Sequence, residues 1–392
     1  MLSNKSFSLA LGATALATML LVSGFALYLV PMSQMTAVGF GDLSRIGWYS
    51  NNRYGGQKPN LAFRPSLVTQ ANTFDRHYDV VVLGDSFSLD LKKSWPNYLA
   101  AKGLSVLVIG LADDLAVHRS FAPDIERQIK TLLDSPAFRD TPPDVFIFET
   151  IERYLKRRLV NDTTPCVAVS GSETGKAAEP FGTTVAEPPV LAYGDVPAYR
   201  IEELTMPPAG HLDEQQLTYA RDFLIKNARK ALGWKTAVGE FRLRVPRFSS
   251  ERSKTLLVLS DDLKKKRWQP GDIDEMQCQL RKLQQSVQAN GKTLFVALPI
   301  PDKLSAYHDD LVDQSPPSGV IDSLTDPSLN RPRLEKAIRA EITAGDMDVY
   351  LPNDTHFGSR GQQVTAETVL QFIEERARKA SAPPRIQPVP SK

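Results

Sequence analysis

Three residues in this chain have the types and spacing to run acyl chemistry: Ser86, Asp354 and His356. A serine hydroxyl is a weak nucleophile near neutral pH until a general base takes its proton. Imidazole titrates in that range, so His356 suits the role. It stands in Pro352-Asn353-Asp354-Thr355-His356-Phe357. Asp354, two residues earlier, can fold back in a turn and accept the other imidazole N–H, which fixes the tautomer and stabilises the imidazolium. Gly-Asp-Ser alone is a common turn, and Asp-x-His alone is no more specific. The other histidines, His77, His118, His211 and His308, have no acid at a comparable spacing beside a sheet edge, and read as surface or structural residues.

The elements that must position the three are legible. Tyr78-Asp79-Val80-Val81-Val82-Leu83-Gly84-Asp85-Ser86 reads as a buried parallel strand running into the serine. Gly84 lets the chain turn, so Ser86 stands at the carboxyl edge of the sheet, where doubly wound α/β proteins place their chemistry. A helix opens near Ser94-Trp95-Pro96 and ends at Gly103; a second strand spans 104–110, a helix 123–133, and a third strand 144–149. This alternation predicts βαβ units and a parallel sheet. Residues 161–212, rich in Pro, Gly, Thr and Glu, leave the pattern, and 214–232 look helical. A short apolar run falls at 254–260, an amphipathic helix at 272–289, a fourth main strand at 292–299 and a short fifth at 348–351. The last helix follows the Asp-Thr-His stretch, with Ser359 and Gln362 spaced for a capping box. The fold expected is α/β, a doubly wound parallel sheet of about five strands carrying a large insertion.

The 392 residues carry 47 basic and 45 acidic side chains, a net charge of +2, which argues against a nucleic-acid binder built on phosphate contacts. Leu9 to Met32 is an apolar run long enough to span a bilayer, which takes roughly 20 helical residues. An uncleaved anchor with Lys5 on the cytoplasmic side is favoured, although Ala37-Val38-Gly39 would serve as a cleavage site. The organisation expected is an anchor over 1–32, a stalk over 33–75 with Tyr49, Tyr54 and Phe63 as contacts, a domain over 76–380 with an insertion at 161–250, and a Pro-rich tail over 381–392. Cys166 and Cys278 would pair in an oxidising compartment or stand as two unrelated thiols; neither has metal-ligand spacing. No metal and no cofactor is expected.

With these residues in hand, the chain resembles the SGNH/GDSL esterase superfamily. Gly84-Asp85-Ser86 matches its nucleophile motif and Asp354-Thr355-His356 its terminal motif. Four stretches narrow the resemblance to the alginate O-acetyltransferase group, of the AlgX and AlgJ type. They are Gly84 to Ser88, Glu149-Thr150-Ile151-Glu152-Arg153-Tyr154-Leu155, Pro301-Asp302-Lys303-Leu304-Ser305-Ala306-Tyr307 and Asp354 to Phe357. The resemblance covers residues 79 to 375 apart from the excursion at 161–250. Two features depart from that group: the Asp-x-His motif follows the serine motif, and Phe357 stands where the family usually has Trp.

The resemblance implies an O-acetyltransferase in which Ser86 is acylated and passes the acyl group to a hydroxyl of an exopolysaccharide. It also implies that a multi-spanning membrane acyltransferase of the MBOAT type supplies the acetyl group. The expected location is the bacterial inner membrane, single-pass, with the catalytic domain in the periplasm. A deacetylating esterase would use the same triad; a non-catalytic glycan-binding subunit of an export complex would have no need of all three residues. Oxyanion donors are sought in the Ser86 N–H, in Gly110 and in Arg153, the last of which pairing with Glu149 or Glu152 would otherwise occupy. Lys303 and Tyr307 are candidates for contact with the glycan, against solvation for the lysine and core packing for the tyrosine.

Overall fold

The computed structural model describes residues 4–34, 41–47, 49, 51–111, 122–160, 166, 191, 193–204, 228, 232–234 and 237–381. The expected helix at 214–232 falls almost wholly outside these residues. So do most of the excursion at 161–212, the Ala37-Val38-Gly39 stretch, His118, His211 and residues 382–392 of the Pro-rich tail.

Nine strands are described: β1 (Asn60–Arg64), β2 (Thr69–Gln70), β3 (Val80–Gly84), β4 (Val106–Gly110), β5 (Val145–Ile151), β6 (Arg200–Leu204), β7 (Val238–Arg242), β8 (Thr255–Leu259) and β9 (Leu294–Ile300). Five form one parallel sheet in the order β2-β4-β3-β5-β9. Their successive side chains point to opposite faces. Val80, Val82, Val106, Val108, Val145 and Ile147 pack into one apolar layer, and Val81, Leu83, Leu107, Ile109, Phe146 and Phe148 into another. A strand buried on both faces must be apolar throughout, which is why Val80 to Leu83 shows no alternation. Helices Pro96–Ala100, Leu334–Ala344 and Ser359–Ser381 cover the first face; Ala122–Leu133, Leu155–Leu159 and Pro270–Gln288 cover the second.

Several expectations need correction. The fifth strand is β2, at the edge beside β4; residues 348–351 make only an isolated bridge, Tyr350 to Phe357. The run at 254–260 becomes β8, which pairs antiparallel with β7 outside the main sheet. The capping box at Ser359 does not form, because both side chains tie the last helix to its neighbours. Ser359 Oγ accepts from Leu61 N at 2.8 Å, and Gln362 Oε1 accepts from Trp95 N at 2.8 Å. The contacts expected of the 33–75 segment are present: Tyr49, Tyr54 and Phe63 are buried, and residues 60–64 pair with β6.

The expected transmembrane anchor is not found. Asn4–Gln34 is one continuous helix, but among the described residues no helix is long and apolar enough to cross a membrane.

Cys166 and Cys278 form a disulfide, which resolves the two readings of the cysteines. It fastens the residue 166 stretch to helix Pro270–Gln288, where the Glu275 carboxylate also accepts from Cys166 N at 2.7 Å.

Candidate active site

Ser86 opens the short helix Ser86–Leu89 directly after β3 and is exposed. Its placement depends on Asp85, whose Oδ1 caps that helix by accepting from Phe87 N at 3.2 Å. Asp85 Oδ2 accepts from Ile151 N at 3.0 Å and from Arg158 Nη1 at 2.5 Å. Burial works against the Asp85 charge, but Arg158 and these N–H groups hold its carboxyl down at about 2. Glu149 lies beneath: its Oε1 accepts from Asp85 N and its Oε2 from Trp95 Nε1. Burial, then the Asp85 charge, push Glu149 well above the ordinary carboxylate range. Gly84 is required for space: a Cβ there would stand 2.3 Å from Ser88 Oγ and 3.0 Å from Glu149 Oε2.

The base arrives on the loop before the last helix. His356 Nε2 lies 2.8 Å from Ser86 Oγ, and His356 Nδ1 lies 2.6 Å from Asp354 Oδ1. Asp354 Oδ1 also accepts from His356 N at 3.0 Å, and Asp354 Oδ2 from Asp42 N at 3.1 Å. Burial opposes the Asp354 charge, yet the His356 imidazole and these N–H groups keep its carboxyl well below the usual range. For His356, partial burial lowers the pKa, but Asp354 and then Asp42 outweigh it, and the net shift is upward. The imidazole leans on Phe87 at 4.8 Å between centroids, and Phe357 packs between Phe87 and Tyr350 at 5.1 and 4.5 Å. Serine, histidine and aspartate thus meet in one line at the carboxyl edge of the sheet, with the hydroxyl open to solvent.

The other sequence candidates divide. Gly110 ends β4 in register with Gly84, so it stands beside the strand that delivers Ser86. The Ser86 N–H sits in the first turn of its helix, among the groups a helix leaves without an intrahelical partner. Arg153 is engaged elsewhere and is removed from the oxyanion set. Its Nη1 lies 3.3 Å from Asp302 Oδ1 and 3.6 Å from Asp262 Oδ1, and its side chain is 6% exposed. The partners are therefore Asp302 and Asp262, not the Glu149 or Glu152 expected. Lys303 is no glycan contact either. It is buried, and its Nζ donates to the Leu351, Pro352 and Asp354 carbonyls at 2.6, 2.8 and 3.1 Å, above the Phe248 ring. Burial, opposed by Asp354 and Asp42, pushes its pKa down to about 7. Tyr307 is a core residue between Phe248 and Tyr350, with its hydroxyl accepting from Tyr350 N at 3.3 Å.

Asp42 and the buried charges under the site were not found by sequence reasoning. Lys265 Nζ pairs with Asp302 Oδ2 at 2.7 Å and Glu152 Oε2 at 3.0 Å, all three side chains fully buried. Asp262 joins this group with neither carboxylate oxygen hydrogen-bonded, and burial, then Asp302, raise its pKa to about 8. Glu152, Arg153 and Asp302 stand in two of the stretches that carry the resemblance, but nothing in the sequence joins them to Asp262 and Lys265. Asp42, Asp354 and His356 also bring three ligand-type atoms within 4.8 Å of one another. The hydrogen bonds among these residues and Thr355 account for that cluster.

Residues 257–387 match the family model of the SGNH hydrolase-like domain, acetyltransferase AlgX. This stretch of the chain resembles AlgX. The matched residues contain β9, Lys303, Asp354 and His356; Ser86 lies outside them and reaches His356 through the fold. The five-stranded parallel sheet is consistent with an SGNH-like architecture. Together the AlgX-like match and the sheet support an SGNH-like enzyme of acetyltransferase type. Comparison with curated proteins and with solved structures gives no match.

Proposed function

We propose that the protein is an O-acetyltransferase that carries an acetyl group on Ser86 and delivers it to a hydroxyl of an exopolysaccharide. The observation that carries this reading is the 2.8 Å contact of Ser86 Oγ with His356 Nε2, backed at 2.6 Å by Asp354. In the first half-reaction Ser86 Oγ bonds to the acetyl carbonyl carbon while its proton passes to His356 Nε2. Collapse of the tetrahedral intermediate breaks the bond to the donor's leaving group, which takes that proton. In the second half a sugar hydroxyl gives its proton to His356 and attacks the acyl-serine. The Ser86 ester bond breaks, and Oγ recovers the proton. Asp354 stabilises the imidazolium in both halves, and the N–H groups of Ser86 and Gly110 are the donors for the oxyanion.

The acceptor class and a membrane acyltransferase of the MBOAT type as donor follow from the likeness to the alginate group. The disulfide supports a compartment outside the cytoplasm, the periplasm of a bacterium, because such bonds persist where thiols are not kept reduced. Deacetylation is the alternative: water replaces the sugar and the rest of the cycle is unchanged. The deciding experiment incubates the protein with an activated acetyl ester and candidate polysaccharides. Acetyl recovered on sugar, and lost in Ser86→Ala, supports transfer; release only to water supports an esterase; a glycan bound without turnover of either kind leaves a binding subunit.

A further inference from the structure

Asp42 comes from a part of the chain remote from both motifs, yet it is bonded to all three residues of the Asp354-Thr355-His356 loop or lies beside them. Its Oδ1 accepts from Thr355 N at 2.7 Å, its Oδ2 accepts from the Thr355 hydroxyl, and its own N–H donates to Asp354 Oδ2 at 3.1 Å. Asp42 Oδ2 also stands 4.0 Å from His356 Nδ1, so two carboxylates face one imidazole nitrogen. The contact is built closely. Ser44 N donates to Asn353 O at 3.1 Å, and a Cβ on Gly41 would fall 2.0 Å from that same carbonyl oxygen. Only a residue without a side chain lets the 41–47 segment come this near the loop.

We propose that Asp42 is a positioning residue of this site: its carboxylate holds the loop that carries Asp354 and His356 and sets a second negative charge behind the imidazole. The proposal rests on the acyl-transfer reading only for its kinetic consequences. The charged groups that face this corner are Asp354 and His356 on the loop, Lys303 after β9 and Arg153 after β5. Lys303 and Arg153 are themselves committed, to the loop carbonyls and to Asp302, which leaves the two carboxylates as the charged groups within 4.0 Å of the imidazole. An imidazolium forms in each half-reaction, so a charge 4.0 Å away stabilises the transition state and also raises the pH at which the base becomes free.

The test reads the imidazole directly, by NMR titration of the His356 ring protons in the full chain, assigned with His356→Gln. Asp42→Asn keeps the shape and removes the charge, and the ring pKa is expected to fall by roughly one unit. Asp42→Glu, which keeps the charge, is expected to hold it. Thr355→Val, which loosens the Asp42 carboxylate without removing it, is expected to give a smaller fall and serves if Asp42→Asn does not fold. For hydrolysis of an activated acetyl ester by Asp42→Asn, the acid limb of the kcat/KM profile moves down with the ring pKa, and its alkaline plateau drops about tenfold. A folded Asp42→Asn with an unchanged ring pKa overturns the proposal, as does a lowered plateau with the acid limb unmoved, since a merely structural contact would behave so. Ester hydrolysis unaffected by Ser86→Ala would sink the acyl-transfer reading instead, while the ring titration still decides the role of Asp42.

Discussion

Replacing Lys303 with Met separates what holds the fold from what holds the site. The Lys303 ammonium offers three protons, and three carbonyls of the 351–354 stretch take them. Methionine has nearly the same length and no donor, so the Pro352 and Asp354 carbonyls lose their partner, while Leu351 O keeps the Asp354 N–H at 3.4 Å. An unsatisfied buried carbonyl costs about 1–3 kcal/mol, which gives roughly 2–6 kcal/mol for two. Against this, a pKa pushed from 10.5 to about 7 means that keeping the ammonium buried costs on the order of 5 kcal/mol, which Met avoids. The two effects are of similar size, and the net change in unfolding free energy is expected within about 3 kcal/mol. Activity has no such compensation. Asp354 loses the anchor of its own carbonyl, and a shift of about 1 Å in the loop is enough to cost ~100-fold. The assays are urea unfolding at pH 6.5 and kcat/KM with an activated acetyl ester. The variant should unfold cooperatively near the wild-type midpoint and lose about two orders of magnitude in kcat/KM. Linkage adds a check: between pH 7 and about 10.4 the unfolded chain keeps the Lys303 proton that the folded chain has released. The lysine's contribution to stability therefore rises with pH across that window and is absent in Lys303→Met. Wild-type activity in a folded Lys303→Met would refute the reasoning, since the loop would then need no anchor.

Two further predictions concern buried groups away from the hydroxyl. Asp262, raised to about 8, keeps its proton in the folded chain while the unfolded chain releases it near pH 4, so its contribution to stability falls as pH rises from about 4 to 8. Asp262→Asn should match the wild type near pH 4 and exceed it by roughly 2–4 kcal/mol at pH 7.5 in urea unfolding; a loss of stability there would mean the carboxylate is ionised and paired with Arg153. Cys166 and Cys278, 112 residues apart, should resist a thiol label until reduced. Reduction should then lower the unfolding free energy by about 2–4 kcal/mol, and labelling without reductant would contradict the bond.

The sheet and the catalytic line were legible because each is written locally. Val80 to Leu83 is apolar at every position, as only a strand covered on both faces must be. Asp354 and His356 are two residues apart, so their hydrogen bond needs no distant partner. The misread elements depended on contacts between segments far apart in sequence. Residues 348–351 looked like a strand, but Lys303 takes the carbonyl of Leu351, and Tyr350 N turns to the Tyr307 hydroxyl. Thr69–Gln70, too short and polar to signal a strand, gains its place from pairing with Leu107 and Val108. Arg153 was expected at the oxyanion or paired with Glu149 or Glu152, but its partners Asp302 and Asp262 lie more than 100 residues away in sequence, and only the fold brings them together with Lys265. Asp42 carried no signal, because nothing near it in sequence tells where the 41–47 segment docks.

The central claim is that Ser86 carries the acyl group, and peptide mass spectrometry of the acid-quenched protein tests it most directly. The protein is mixed with an activated acetyl ester, quenched in acid within seconds and digested. The account predicts a mass gain of one acetyl group on the peptide containing Ser86. The adduct should be absent in Ser86→Ala, strongly reduced in His356→Ala, and discharged on adding the acceptor polysaccharide. An acetyl adduct that forms equally in Ser86→Ala, or none in the wild type while the ester is still turned over, would contradict it.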